Sequence, residues 1–229
     1  VGGGFTGLWT ALFLKELAPE KEVVLLEGER VAYGASGRNA GQIGETFDHS
    51  HTLAIQHFGE DEAGRLAFLA RKNLDEMESF LEQEAIDAEF SRAGQLVLAL
   101  TKAHTMDVEV ALSSARRLGI DDWQTLDGES TRRRLGSPLP LCALFSPRAA
   151  TVHPAKLASG LARVAESKGV RILEHSAVVA IEPAGSGLRL STQKSTLRAP
   201  RAVLATNAYS HLLAPRLARR FLPLYDYVI

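Results

Sequence analysis

The sequence predicts an α/β fold whose main domain is split by a mixed α/β insertion, and three observations carry that expectation. The first is the opening run Val1-Gly2-Gly3-Gly4-Phe5-Thr6-Gly7, a G-x-G-x-x-G pattern on Gly2, Gly4 and Gly7. The second is the apolar run Val23-Val24-Leu25-Leu26, which ends in an acid, Glu27, about twenty residues on. The third is a delay. No further helix and parallel strand follow at once, and a helix-strand pattern resumes only from Val152.

Each glycine has a physical job. The first permits a tight strand-to-helix turn, the second lets backbone approach a pyrophosphate, and the third lets the helix pack closely on a sheet. Helix N-terminal amides and the positive end of the dipole then favour the phosphates, and Glu27 is placed to accept from ribose hydroxyls. The pattern predicts a Rossmann-like dinucleotide site.

The elements follow in order. Residues 5 to 18 read as an amphipathic helix with Leu8, Ala11, Leu12 and Leu17 on one face, stopped by Pro19. A strand over 23 to 27 comes next, then small and polar residues at 34 to 42. The stripe Ala63, Leu66, Ala67, Ala70, Leu74, Met77 and Leu81 predicts a packing helix over 60 to 85. Residues 95 to 100 read as a strand, 102 to 118 as a helix ending before Gly119, and 141 to 145 as another strand.

Pro154 suits the first turn of a helix carrying Leu157, Leu161, Val164 and Ala165, which stops at Gly169 and feeds a strand over 170 to 173. Strands at 178 to 181, 188 to 192 and 196 to 198, with the turn Gly185-Ser186-Gly187, predict a β-meander. A buried strand over 201 to 205 precedes Thr206-Asn207-Ala208 and a helical stretch. The simplest assembly is a discontinuous domain, 1 to 45 plus 151 to 215. Residues 46 to 150 form the insertion, where a substrate wall would stand, and 216 to 229 begin a return to it.

Composition narrows the classes. The chain has 229 residues, 45% of them apolar and 23% charged, with a formal net charge of -1 and a pI near 6.7. That balance disfavours nucleic acid and anionic membranes as partners and favours small molecules. Arg132, Arg133 and Arg134, and Arg216, Arg219 and Arg220, are expected on solvated helix faces. No apolar stretch approaches the ~20 residues of a membrane helix. The single cysteine, Cys142, is expected to be a buried thiol in a reducing compartment, the cytoplasm. Val1 alone precedes the glycines and 223 to 229 end in an apolar run, so the chain is expected to be a fragment cut in mid-strand.

Other candidates are weighed against plainer roles. His49, His51 and His57 lack the cysteines or carboxylates that would complete a ligand set, so no metal is expected. His153, before Pro154, reads as a helix cap or packing residue rather than an acid or base. Tyr33, Tyr209, Tyr225 and Tyr227 suit a pocket lining and equally suit half-buried packing.

The segment Gly34-Ala35-Ser36-Gly37-Arg38-Asn39-Ala40-Gly41-Gln42 resembles FAD-dependent oxidoreductases of the D-amino acid oxidase and glycine oxidase superfamily, in particular the gamma-glutamylputrescine oxidase branch. Three stretches agree in order and spacing: 151 to 157, 176 to 178 and 203 to 209. The resemblance implies that Gly2, Gly4, Phe5, Thr6 and Gly7 cradle the pyrophosphate, that Glu27 holds the adenosine ribose, and that Ser36 adds a phosphate contact. It places Asn39, Ala40, Gly41 and Gln42 along the isoalloxazine, Val178 at adenine, and Thr206 and Asn207 near the dinucleotide. Arg38 either offsets cofactor charge or makes a surface ion pair.

The resemblance also implies non-covalent FAD, because 36 to 42 offer neither histidine nor cysteine as a tether. It implies oxidation of a C-N bond of an amine or amino acid to an imine, with hydride passing to flavin N5 and oxygen or another acceptor taking the electrons. Relatives carry a second flavin-binding segment and much of the substrate pocket in a last third absent here, so no catalytic residue is assigned. The alternatives are a flavin dehydrogenase subunit for an opine or hydroxy acid, a nucleotide-binding fragment without chemistry, and an NAD domain, which the insertion disfavours.

Overall fold

A computed structural model describes residues 1–46, 50–222 and 224. His49, Pro223, Tyr225 and Tyr227, with most of the apolar run at 223–229, lie outside the described residues. In chain order the elements are α1 (Phe5–Leu17), β1 (Val23–Leu26), β2 (Gln42–Ile43), α2 (His51–Phe58), α3 (Glu60–Gln83) and β3 (Gln95–Ala99). There follow α4 (Lys102–Arg117), β4 (Gln124–Asp127), α5 (Gly128–Leu135), β5 (Cys142–Ser146), β6 (Ala150–Thr151) and α6 (Pro154–Ser167). The last are β7 (Val170–Leu173), β8 (Val178–Ala184), β9 (Gly187–Thr192), β10 (Thr196–Ala199) and α7 (Ser210–Leu213). The chain divides into two compact units.

The first unit comprises Val1–Ala40, Glu84–Ala88 and the chain from His153 onward. Strands β1 and β7 pair in parallel, Val23 beside Val170 through Leu26 beside Leu173. Helices α1 and α6 pack on each other and on these strands. Their inward residues form the core: Leu8, Ala11 and Leu12 from α1, and Leu157, Ala158, Leu161, Val164 and Ala165 from α6. His153 caps α6, its Nδ1 facing the Lys156 N–H at 3.4 Å, and Pro154 opens the first turn. Strands β8, β9 and β10 form an antiparallel meander in that order.

The second unit comprises Gly41–Gln83 and Glu89–Val152. Its antiparallel sheet runs β3-β5-β4, with α4 packed on it. A separate short pair joins β2 to β6, Gln42 opposite Thr151. Two apolar clusters hold the unit: Ala67, Ala115 and Ile120, and Ala99, Val108 and Leu144. Trp123 packs against both.

Several expectations are corrected. Leu17 is 82% exposed rather than on the buried face of α1. It lies nine residues beyond Leu8, and at 3.6 residues per turn that is half a revolution away. Residues 201 to 205 are not a ladder strand and are at most partly buried. Among the described residues their backbone partner is Val1, which accepts from Ala205 N–H at 2.8 Å and donates to Val203 O at 2.8 Å. The helical stretch after 208 is a single four-residue helix between 3-10 turns. Arg216 therefore lies in a 3-10 turn, and Arg219 and Arg220 in the turn after it. Cys142 is half-buried, because it opens β5 at the cluster's margin.

Candidate cofactor-binding site

The glycine turn is built by exclusion of side chains. Gly2 has φ +105°, a region L-residues avoid, and its N–H donates to Leu26 O at 2.9 Å. A Cβ there would run into the carbonyl of Ala205, and one at Gly7 into the carbonyl of Gly2. The turn thus brings the end of β1, Val1-Gly2 and Ala205-Thr206 side by side, with α1 springing from their edge.

The start of α1 offers donors. Leu8 N–H is bonded to Gly4 O at 3.0 Å, so the amides of Thr6 and Gly7 precede the first intrahelical bond and point outward. The N-cap residue, Gly4, has no side chain to cap them. Ser36 Oγ instead accepts from Phe5 N–H at 3.0 Å, and its own hydroxyl hydrogen remains to donate to an anion at this helix end. A Cβ on Gly4 would lie 2.8 Å from that hydroxyl oxygen, so glycine keeps the approach open.

Glu27 follows β1 and is tied by both oxygens. Oε2 accepts from Gly3 N–H at 2.6 Å, and Oε1 from Glu29 N–H at 2.9 Å. A carboxylate oxygen has two lone-pair directions, so each can still accept from a hydroxyl. Gly3 is an x of the G-x-G-x-x-G pattern, so spacing alone does not single it out. A Cβ there would sit 3.1 Å from the Glu27 side chain, and its amide orients the acid. The signal was present as a third consecutive glycine.

The rest of the expected set is placed as follows. Ser176 N–H donates to Glu27 O and His175 N–H to Glu29 O, so Val178, the first residue of β8, begins just past the Glu27 loop. Thr206 abuts Gly2 and shares a hydrogen bond with Ser210, Oγ1 to Oγ 2.9 Å, while Asn207 is exposed at φ +44°. The first unit therefore brings together Gly2, Gly4, Phe5, Thr6, Gly7, Glu27, Ser36 and Thr206. Arg38 is turned to its own loop: Nε donates to Tyr33 O at 2.6 Å and the guanidinium lies 4.6 Å from the Tyr33 ring centre. Asn39 Nδ2 donates to the carbonyls of Ala35 and Ser36, each at 3.1 Å, and exposed Ala40 ends that segment of the unit. Gly41 and Gln42 open the second unit. Gly41 is buried at φ +72°, and Val152 N–H donates to its carbonyl at 2.8 Å.

Among the described residues no group of histidine, cysteine, aspartate or glutamate is arranged to hold a metal. His51 packs at a tilt against Trp123, ring centres 5.0 Å apart and planes 42° apart. Burial first, and the Arg71 charge second, push its pKa down. Tyr33 and Tyr209 are exposed. No helix among the described residues is long and apolar enough to cross a membrane.

The sequence profile of FAD dependent oxidoreductases, the DAO family, matches residues 1–229. "Probable oxidoreductase OrdL" of Haemophilus influenzae is 32% identical, over all of this chain and 54% of its own length. The gamma-glutamylputrescine oxidoreductase of Escherichia coli is 31% identical, over all of this chain and 53% of its own length. The chain thus spans about half the length of the curated relatives it matches. The crystal structure of glycine oxidase from Geobacillus kaustophilus superposes with a TM-score of 0.82 at 24% identity, covering 95% of this chain and 56% of the other. A glycine turn without room for side chains, outward amides at a helix start and a carboxylate held beside them suit the family's cofactor. The chain belongs to the DAO family of FAD dependent oxidoreductases, whose cofactor is FAD.

Proposed function

We propose that the protein containing this chain is an oxidoreductase acting on a C-N bond of an amine or amino acid, and that the first unit carries a Rossmann-like FAD domain. The observation that carries the reading is the Glu27 carboxylate bound to Gly3 N–H beside the bare start of α1, in a chain of this family. The name of the gamma-glutamylputrescine relative supports an amine as substrate. Bound FAD would supply a two-electron acceptor at N5, taking hydride from the carbon next to nitrogen, with oxygen the proposed final acceptor.

The chain's residues bind and orient. Gly2, Gly4, Phe5, Thr6 and Gly7 present backbone to the pyrophosphate, Ser36 donates its hydroxyl hydrogen there, and Glu27 accepts from the ribose. Val178 borders adenine, Thr206 and Asn207 border the dinucleotide, and Asn39, Ala40, Gly41 and Gln42 line the ring without covalent attachment. Arg38, on the same loop and in contact with Tyr33, would offset cofactor charge. Residues 1 to 45 and 151 to 215 form the FAD domain in this reading, 46 to 150 the substrate domain, and 216 to 229 the chain's return toward it. A cytoplasmic setting fits the lone free thiol, Cys142.

The test is made on the full-length gene product. Purified protein is expected to show a flavin spectrum, to release its flavin on acid precipitation, to bleach anaerobically with at least one amine or amino acid, and to yield hydrogen peroxide in air. A colourless protein that takes up no FAD, or a flavoprotein reduced by none of the panel, overturns the reading. Reduction by substrate without peroxide replaces oxygen by another acceptor, as in a dehydrogenase for an opine or hydroxy acid.

A further inference from the structure

The second unit contains a buried polar hub. Glu45 is 1% exposed. Its Oε1 accepts from Trp123 Nε1–H at 2.7 Å, its Oε2 lies 3.1 Å from Arg71 Nε, and Arg71 also pairs with Asp122. A carboxylate this far from water persists only where donors and opposite charge compensate it. These partners come from distant parts of the chain: Arg71 from α3, and Asp122 and Trp123 from the turn into β4. Since Trp123 also packs on both apolar clusters, Glu45 ties the loop after β2 directly to the core of its unit.

The segment just before Glu45, from Gly41 to Ile43, has a backbone anchor of its own. Gln42 and Ile43 pair with Thr151 and Ala150, and Gly41 O accepts from Val152 N–H. A two-residue ladder is a weak clamp by itself, and a short strand is prone to shift register. Glu45, three residues after Gln42, supplies the side-chain anchor that the ladder lacks. The buried charge is costly to place; the indole N–H gives the carboxylate its direction through Oε1, while Oε2 has no hydrogen-bond partner among the described residues and is compensated by the Arg71 charge alone.

We propose that Glu45 is a positioning residue for the flavin: it holds the segment from Gly41 to Gly44 in the one placement that lets Gly41 and Gln42 line the isoalloxazine. The inference rests on the functional reading above, in which that segment faces the ring. Glu45 acts through the backbone and makes no contact with the cofactor. Its loss would loosen one wall of the ring site while leaving the glycine turn and Glu27 unchanged.

The experiment uses the full-length gene product as apoprotein and measures FAD affinity by fluorescence titration, visible circular dichroism of the bound flavin, and thermal unfolding of the apoprotein. Glu45→Gln keeps an acceptor for Trp123 and removes the charge facing Arg71. Trp123→Phe keeps a ring against His51 and removes the donor, so it decides the matter if Glu45→Gln does not fold. Glu78→Gln, at an ion pair with Arg92 in the same unit, serves as the control for a purely structural contact. Either hub variant is expected to raise the FAD Kd about tenfold and to alter the flavin dichroism, while the control leaves both at wild-type values. Folded hub variants with wild-type Kd and dichroism overturn the proposal even if their melting temperature falls. Wild-type apoprotein that binds no FAD overturns the functional reading, and this inference with it.

Discussion

Glu27 holds two backbone amides at once, and this makes it an oriented acceptor before any ligand arrives. Hydrogen bonds to a charged group contribute about 1.5–3 kcal/mol, and each 1.4 kcal/mol is roughly tenfold in affinity. Glu27→Gln keeps the shape, replaces one acceptor oxygen by a donor and removes the charge. In the full-length protein its FAD Kd is expected to rise roughly ten- to a hundredfold, measured by fluorescence titration against wild type. FMN, which lacks the adenosine ribose, would show no such change. A variant that binds FAD as tightly as wild type would remove Glu27 from the site. The acid was legible in the sequence because it ends an apolar run at a diagnostic distance from the glycines. Glu45 was not, because its partners, Arg71, Asp122 and Trp123, are far along the chain and no local pattern marks them.

Elements were legible with their bounds where apolar spacing and breakers agree, and only as a helix without bounds where capping makes the helix. Helix α6 carries Leu157, Leu161, Val164 and Ala165 on one buried face, after Pro154 and before Gly169. Helix α5 has the sequence GESTRRRL, with almost no apolar signal. It rests on Asp127, whose side chain accepts from Ser130 N–H at 2.7 Å, and on Gly136 at φ +72° as its C-cap. The packing of α6 makes a further demand that periodicity does not reveal. Gly160 leaves room for Ile86, and a Cβ there would collide with Ile86 Cγ2. Gly160→Ala is therefore expected to lose about 1–3 kcal/mol by overpacking, despite the ~1 kcal/mol helix-propensity advantage of alanine. In an Ile86→Ala background the same substitution should become neutral or stabilising. A double-mutant cycle by urea denaturation measures the coupling, and additive effects would mean that the two side chains do not meet.

At the scale of the whole molecule, the sequence did not reveal that 84–88 belongs with the first unit, because five residues carry no periodicity and their placement is a matter of packing on α6. Nor did it reveal which ionisable groups would be buried, and these set the pH dependence of stability. His51 is 5% exposed, and burial, then Arg71, lower its pKa from an ordinary value near 6.5. Below about pH 6.5 the unfolded chain takes up a proton that folded His51 resists, so its contribution is complete above 6.5 and is lost as pH falls toward the folded value. Asp75, whose side chain is half exposed, behaves in the same direction at lower pH because of its arginine partners rather than burial. Burial works to raise its pKa, but hydrogen bonds and charge from Arg92 and Arg148 outweigh it and hold the carboxyl below 3.8. Its contribution is present above about pH 4 and disappears as pH falls through the depressed value. Both groups lie in the second unit, which should become the acid-sensitive part of the chain. Urea midpoints measured from pH 8 to 3 should decline in two limbs, one beginning near 6.5 and one below 4. His51→Phe is expected to flatten the first limb and leave the second, and Asp75→Asn the reverse. If His51→Phe loses as much stability between pH 7 and 5 as wild type, the proton resisted in that range belongs to another group, and the buried imidazole against Trp123 is not the source of the acid sensitivity.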